Sequence, residues 1–155
     1  MGIAMSDMDL INLYSGRILE LSVNIPLTER LENPQATVRK RSPLCGSTVT
    51  VDLVCDDGRV SEYGQDVKAC ALGQAAASVV GRNVIGRTRA EVETARDQLS
   101  AMLKSDGPVP DAPFDGLEAL LPARNFRNRH ASILLTLDAA AEAVALAESV
   151  SRAWR

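Results

Sequence analysis

The chain's 155 residues suffice for one domain with a core of its own, and 46% apolar against 24% charged residues excludes a disordered chain. A formal charge of -3 excludes a global pull toward nucleic acid or an anionic membrane. Aromatic residues are only 3%, so the core must rest on Ala, Val, Leu and Ile, which favours helices packed closely through small side chains.

Basic residues gather locally at Arg39, Lys40 and Arg41, and again at Arg124, Arg127 and Arg129. Such clusters are either solvated surface or faces for an acidic partner or an anionic cluster. No segment approaches the run of about 18 apolar residues that spans a membrane. The start, MGIAMSDMDLINLYSG, lacks a basic stretch followed by an apolar run and so does not read as a secretory signal. Three cysteines cannot all pair within one chain, and free thiols in a cytoplasmic setting fit better than a disulfide framework.

Residues 8–22 place Leu10, Ile11, Tyr14, Ile18, Leu19 and Leu21 on a helical face, with Asp9 or Ser6 as cap. Pro26 and Pro34 make 23–37 a connecting segment. The stretch 1–37 thus reads as a loosely packed N-terminal helix and connector on a single domain spanning 1–155. A short strand is expected near 37–42. Residues 47–55 alternate: Val49, Val51, Leu53 and Cys55 point one way, Thr48, Thr50 and Asp52 the other. Asp56-Asp57-Gly58 is a turn, and 59–67 returns as the next strand, with Val60 apolar.

Residues 70–80 turn to small apolar side chains in a helix that Gly81 ends. Thr88 with Glu91 three residues later makes a capping box for the next helix, whose face carries Val92, Ala95, Leu99 and Met102. A Pro-rich loop leads to a short helix over 114–124, closed by Pro122, and an Ala-rich helix over 129–152. The expected fold class is α+β: a small antiparallel three-stranded sheet with helices from 70, 88 and 129 covering one face. No Gly-rich phosphate loop follows a strand.

Four residues could carry chemistry. Cys45 lies in SPLCGS, between a restricting Pro43 and a permissive Gly46. It is either an apolar packing residue or a thiolate for metal or persulfide. Cys70 opens a helix; it either packs with Ala71 and Leu72 or stands as a thiolate facing the helix amides. Cys55 shares the parity of the apolar strand positions and reads as core. His130, the only histidine, begins the last helix. Imidazole with thiolates suits zinc, iron and iron–sulfur centres.

Three blocks carry a resemblance: Ser42 to about Asp66, the CAL…AAAS run from Cys70, and RHASIL from Arg129. They resemble the IscU/NifU-type iron–sulfur scaffold family, and the likeness extends from Leu13 to about Val144. In that family the first block reads asparagine, proline, any residue, cysteine, glycine, aspartate. Here Cys45 and Gly46 match, while Ser42 and Ser47 stand for the asparagine and aspartate. Cys70 matches the cysteine at the sheet-to-helix junction. The third block is histidine–cysteine–serine–isoleucine–leucine; here His130 matches and Ala131 replaces the cysteine.

The resemblance implies an iron–sulfur cluster assembly scaffold or carrier, not an enzyme. It would bind iron, zinc or a [2Fe–2S] cluster through Cys45, Cys70 and His130, with Ser47, water or a second subunit supplying a further ligand. The implied partners are a pyridoxal-phosphate cysteine desulfurase and apo-protein acceptors. Loss of the third cysteine and of the aspartate favours an alternative: a degenerate member that binds a partner or zinc without assembling clusters. A further alternative is a thiol enzyme with Cys45 as nucleophile and His130 as base.

Overall fold

The computed structural model describes residues 13–153, with side chains described from 13 to 150. The proposed caps Asp9 and Ser6 lie outside the described residues. Helix α1 spans Gly16–Val23, and Ser15 caps it by accepting a hydrogen bond from the Ile18 amide at 3.3 Å. Ile18 and Leu21 lie one turn apart and are fully buried. Each such burial contributes about 1.5–3 kcal/mol, so this part of the N-terminal region is tied into the core.

Strands β1 (Ala36–Arg41), β2 (Thr48–Asp56) and β3 (Arg59–Lys68) form an antiparallel sheet in the order β1-β2-β3. Asp57 and Gly58 both have positive φ, 52° and 76°, as a two-residue hairpin loop of type I′ requires. Val38 pairs with Val51, which pairs with Gln65, and Leu53 pairs with Tyr63. These residues share one face.

Asp52 lies on the face opposite Val49, Val51 and Leu53 and yet is buried. Alternation assigns it correctly to the second face, but the connector 24–35 covers that face. Asp52 is fully buried and accepts hydrogen bonds from Arg30, Thr37 Oγ1 (2.6 Å) and the Leu31 amide (3.1 Å). Its partner across the ladder is Gly64, where a Cβ would collide with the Glu29 carbonyl. The Gln65 amide donates to Leu27 O at 2.9 Å, tying the strap to β3.

Helix α2 runs Ala71–Asn83, so Gly81 does not end it. A Cβ on Gly81 would meet Gln65 Nε2 at 2.6 Å and Pro26 Cγ at 3.0 Å. The glycine is an internal clearance for the strap. Helix α3 (Arg89–Lys104) has the expected capping box between Thr88 and Glu91. The segment Phe114–Asn125 is a 3₁₀ helix that continues through Pro122. Its buried residues, Phe114, Leu117, Leu120 and Ala123, recur every third position, the period of that helix type. Helix α4 spans Arg127–Ala153, two residues earlier at its start than the sequence suggests.

Helix α4 lies across β1 and β2, and α2 contacts β3 and α4; α3 packs outside α4. The arrangement is the expected α+β class, a three-stranded antiparallel sheet flanked by helices. Among the described residues no helix is long and apolar enough to cross a membrane.

Candidate functional site

The β1–β2 connection, Ser42–Ser47, is a tight loop. The Ser42 amide donates to Ser47 O at 2.8 Å and the Gly46 amide to Ser42 O at 2.9 Å. Gly46 has φ 72°, a conformation that a residue with a Cβ rarely adopts. Ser42 and Ser47 are buried, whereas Cys45 is exposed. The Cys45 S–H donates to Ser42 Oγ at 3.4 Å, and Cys45 Sγ lies 3.1 Å from Ser47 Oγ. Serine hydroxyls rotate and can turn to donate once the thiol has ionised. Hydrogen bonds from the Ser42 hydroxyl, then the Ser47 hydroxyl and amide, lower the Cys45 pKa to about 7. Burial opposes them, and Ser132 adds a smaller lowering.

Cys70 is the N-cap of α2 and half-buried; its side chain makes no capping hydrogen bond. Its Sγ lies instead 3.5 Å from Ser132 Oγ on α4. Gly73 makes this possible, since a Cβ there would stand 2.7 Å from Ser132 Oγ and 2.8 Å from Ala69 Cβ. Ser132 Oγ in turn donates to Ser47 Oγ at 3.2 Å. Cys45, Ser47, Ser132 and Cys70 therefore form one continuous polar array.

The structure does not bring His130 into that array. Its ring is buried, and Nε2 lies 2.9 Å from Ala123 O and 3.2 Å from Arg124 O. Carbonyl oxygens only accept, so Nε2 carries the hydrogen and donates into the end of the 3₁₀ helix. Two helical positions turn a side chain by about 200°, so His130 and Ser132 leave α4 on opposite sides. Among the described residues, no group of three or more His, Cys, Asp or Glu side chains is arranged to hold a metal ion.

Cys55 is half-buried against the core, not fully buried as its parity suggests. The register shifts at Val54/Cys55, so the ladder is irregular where β2 ends. Burial, and secondarily Glu148, raises the Cys55 pKa. The site residues that the sequence reading missed are Ser42 and Ser132. The available signal for Ser132 was its place two residues after His130 in the RHASIL block, where it matches the serine of the resembled family.

No protein-family model matches the chain, and no curated protein matches it. Solved structures do. A nitrogen-fixing NifU-like protein (N-terminal) from Brucella abortus is 45% identical and superposes with a TM-score of 0.89, covering 91% of this chain and 98% of that one. A protein from thermophilic Fervidobacterium islandicum AW-1, described as an iron–sulfur cluster assembly scaffold for the SUF system, is 21% identical. Its TM-score is 0.77, over 86% of this chain and 98% of that one. At that identity the second likeness speaks for the fold alone.

Proposed function

The chain belongs to the IscU/NifU family of iron–sulfur scaffold proteins, and we propose that it serves there as a partner-binding thiol module that does not assemble a cluster on its own ligands. Membership makes it a non-catalytic protein of scaffold type. The partner is a cysteine desulfurase, and the group offered to it is the Cys45 thiolate. The compartment is cytoplasmic, in keeping with three free thiols.

The observation that carries the reading is the division of the three family positions. His130 is turned into the carbonyls of Ala123 and Arg124, and among the described residues no group of three His, Cys, Asp or Glu side chains is arranged to hold a metal ion beside the two thiols. Structural zinc sites take four ligands, and iron–sulfur clusters are held mostly by cysteine thiolates. Two thiols and two hydroxyls make a poor cage but a suitable acceptor: Cys45 is exposed, held on a short loop and readily ionised.

A second reading, cluster assembly followed by transfer to apo-protein acceptors, is favoured by the approach of Cys45 and Cys70 through Ser47 and Ser132. It requires iron, zinc or a [2Fe–2S] cluster as cargo, with further ligands from a second subunit or a partner.

The test is to mix the anaerobic chain with a pyridoxal-phosphate cysteine desulfurase and cysteine, then map added sulfur by mass spectrometry. The expected result is a complex with the wild-type chain and, on Cys70→Ser, one extra sulfur on Cys45; Cys45→Ser should keep the complex and take no sulfur at that position. Absence of both complex and transfer would overturn the reading.

A further inference from the structure

We propose that Cys45 and Cys70 act as a dithiol pair that reduces a sulfane sulfur carried on Cys45 and releases it as hydrosulfide. The step deepens the reading above and rests on it, because it needs a sulfane sulfur delivered to Cys45 by a persulfide donor.

The polarity of the hydrogen-bond array carries the inference. A serine hydroxyl has one hydrogen to give. Ser132 gives its hydrogen to Ser47 Oγ at 3.2 Å. Ser132 Oγ therefore faces Cys70 Sγ, at 3.5 Å, as an acceptor, and the Cys70 S–H donates to it. The Ser47 hydrogen is then free for Cys45 Sγ at 3.1 Å. Each link donates in the same sense, from Cys70 through Ser132 and Ser47 to Cys45. Ser47 and Ser132 are 5% and 1% exposed, so water has little access to compete for these hydroxyls.

Access divides the two sulfurs in the same direction. Cys45 is exposed, beside Leu44 at 76% exposure, and is open to a protein donor; Cys70 is half-buried. Cys55 belongs to the opposite end of β2 from the Ser42–Ser47 loop and takes no part.

In the step, Cys70 Sγ attacks Cys45 Sγ, the inner sulfur of the persulfide. A Cys45–Cys70 disulfide bond forms and the persulfide S–S bond breaks. The outer sulfur leaves with the bonding electron pair. The Cys70 proton passes along Ser132 and Ser47 toward it, giving hydrosulfide. Counted from the two thiols and the zero-valent sulfane sulfur as delivered, that sulfur gains two electrons over loading and attack, and the two cysteine sulfurs each give one. No outside reductant enters until a dithiol reductant resets the disulfide, so the event is stoichiometric and agrees with a non-catalytic protein.

The experiment uses the full chain, reduced and desalted without oxygen, with inorganic polysulfide as the sulfane probe. After a second desalting, intact mass and peptide mapping read the products. The wild-type chain should end two hydrogens lighter, with a linked Cys45–Cys70 peptide. Cys70→Ser should end one sulfur heavier on Cys45, and that persulfide should outlast the wild-type one by more than about tenfold. Ser132→Ala should load equally and decay more slowly than wild type, and Cys55→Ser should behave as wild type. Retention of the persulfide by the wild-type chain, or its equally fast decay in Cys70→Ser, would overturn this step alone. A chain that takes no sulfur on Cys45 would overturn the preceding reading with it.

Discussion

Ser132 Oγ donates to Ser47 Oγ across 3.2 Å, although the two serines stand 85 positions apart. The bond joins the start of α4 to the end of the β1–β2 loop and links the surroundings of the two family cysteines. Where this chain's relatives are expected to have an aspartate, Ser47 puts a neutral hydroxyl beside Cys45. The thiolate there meets donors and no neighbouring carboxylate at that position.

Ser42→Ala should raise the Cys45 pKa from about 7 and should do so more than Ser132→Ala, since the Ser42 bond is the largest of the lowering causes. The pH profile of alkylation by a thiol reagent, read for the Cys45 peptide, measures both. A profile that Ser42→Ala leaves in place would contradict the assignment of hydroxyl donors to the thiolate.

Ser47→Asp restores a carboxylate near Cys45. A like charge disfavours ionisation, so the same profile should move to higher pH and alkylation near neutral pH should slow. A shift to lower pH would show that the new carboxyl does not face the sulfur.

His130→Ala should cost about 2–4 kcal/mol, because it opens a cavity and strands the carbonyls of Ala123 and Arg124. Urea unfolding measures this. The Cys45 alkylation profile should not move, as His130 leaves α4 on the side away from the thiols.

Asp52→Asn should cost about 2 kcal/mol through lost charge-assisted hydrogen bonds. Burial opposes the Asp52 charge, but hydrogen bonds from Arg30, Thr37 and the Leu31 amide, with the Arg30 charge, outweigh it and hold the pKa below the usual carboxylate range. A carboxylate with a depressed folded pKa adds stability above its unfolded pKa and loses it as pH falls through the folded one. Wild type should therefore lose stability on acidification below about pH 4 more steeply than Asp52→Asn. Parallel acid curves would contradict this.

Much of the frame was legible in local pattern. Alternation over 47–55, the Asp-Gly turn and the Thr88–Glu91 capping box act between near neighbours, and each stands where the pattern puts it. Cys45 and Cys70 at element ends were legible in the same way. The burial of Asp52 was not, because it depends on Arg30, 22 positions away, folding back over the second face of the sheet. Nor was the separation of His130 from the thiols. Helix phase decides which of two residues two positions apart faces Cys70, and that phase follows from the packing of Gly73 against Ser132. The three-residue spacing of Phe114, Leu117, Leu120 and Ala123 stands in the sequence, but local pattern suggested only a short helix closed by Pro122 and not the 3₁₀ helix that runs through it and receives the His130 ring.

The most direct test of the central claim is iron and sulfide analysis after anaerobic reconstitution with ferrous iron and sulfide, on wild type and on Cys45→Ala, Cys70→Ala and His130→Ala. No stoichiometric cluster is expected on the isolated chain, and no dependence of residual metal on His130. A full cluster complement in wild type that falls in all three variants would contradict the claim, because Cys45, Cys70 and His130 would then be acting as one ligand set.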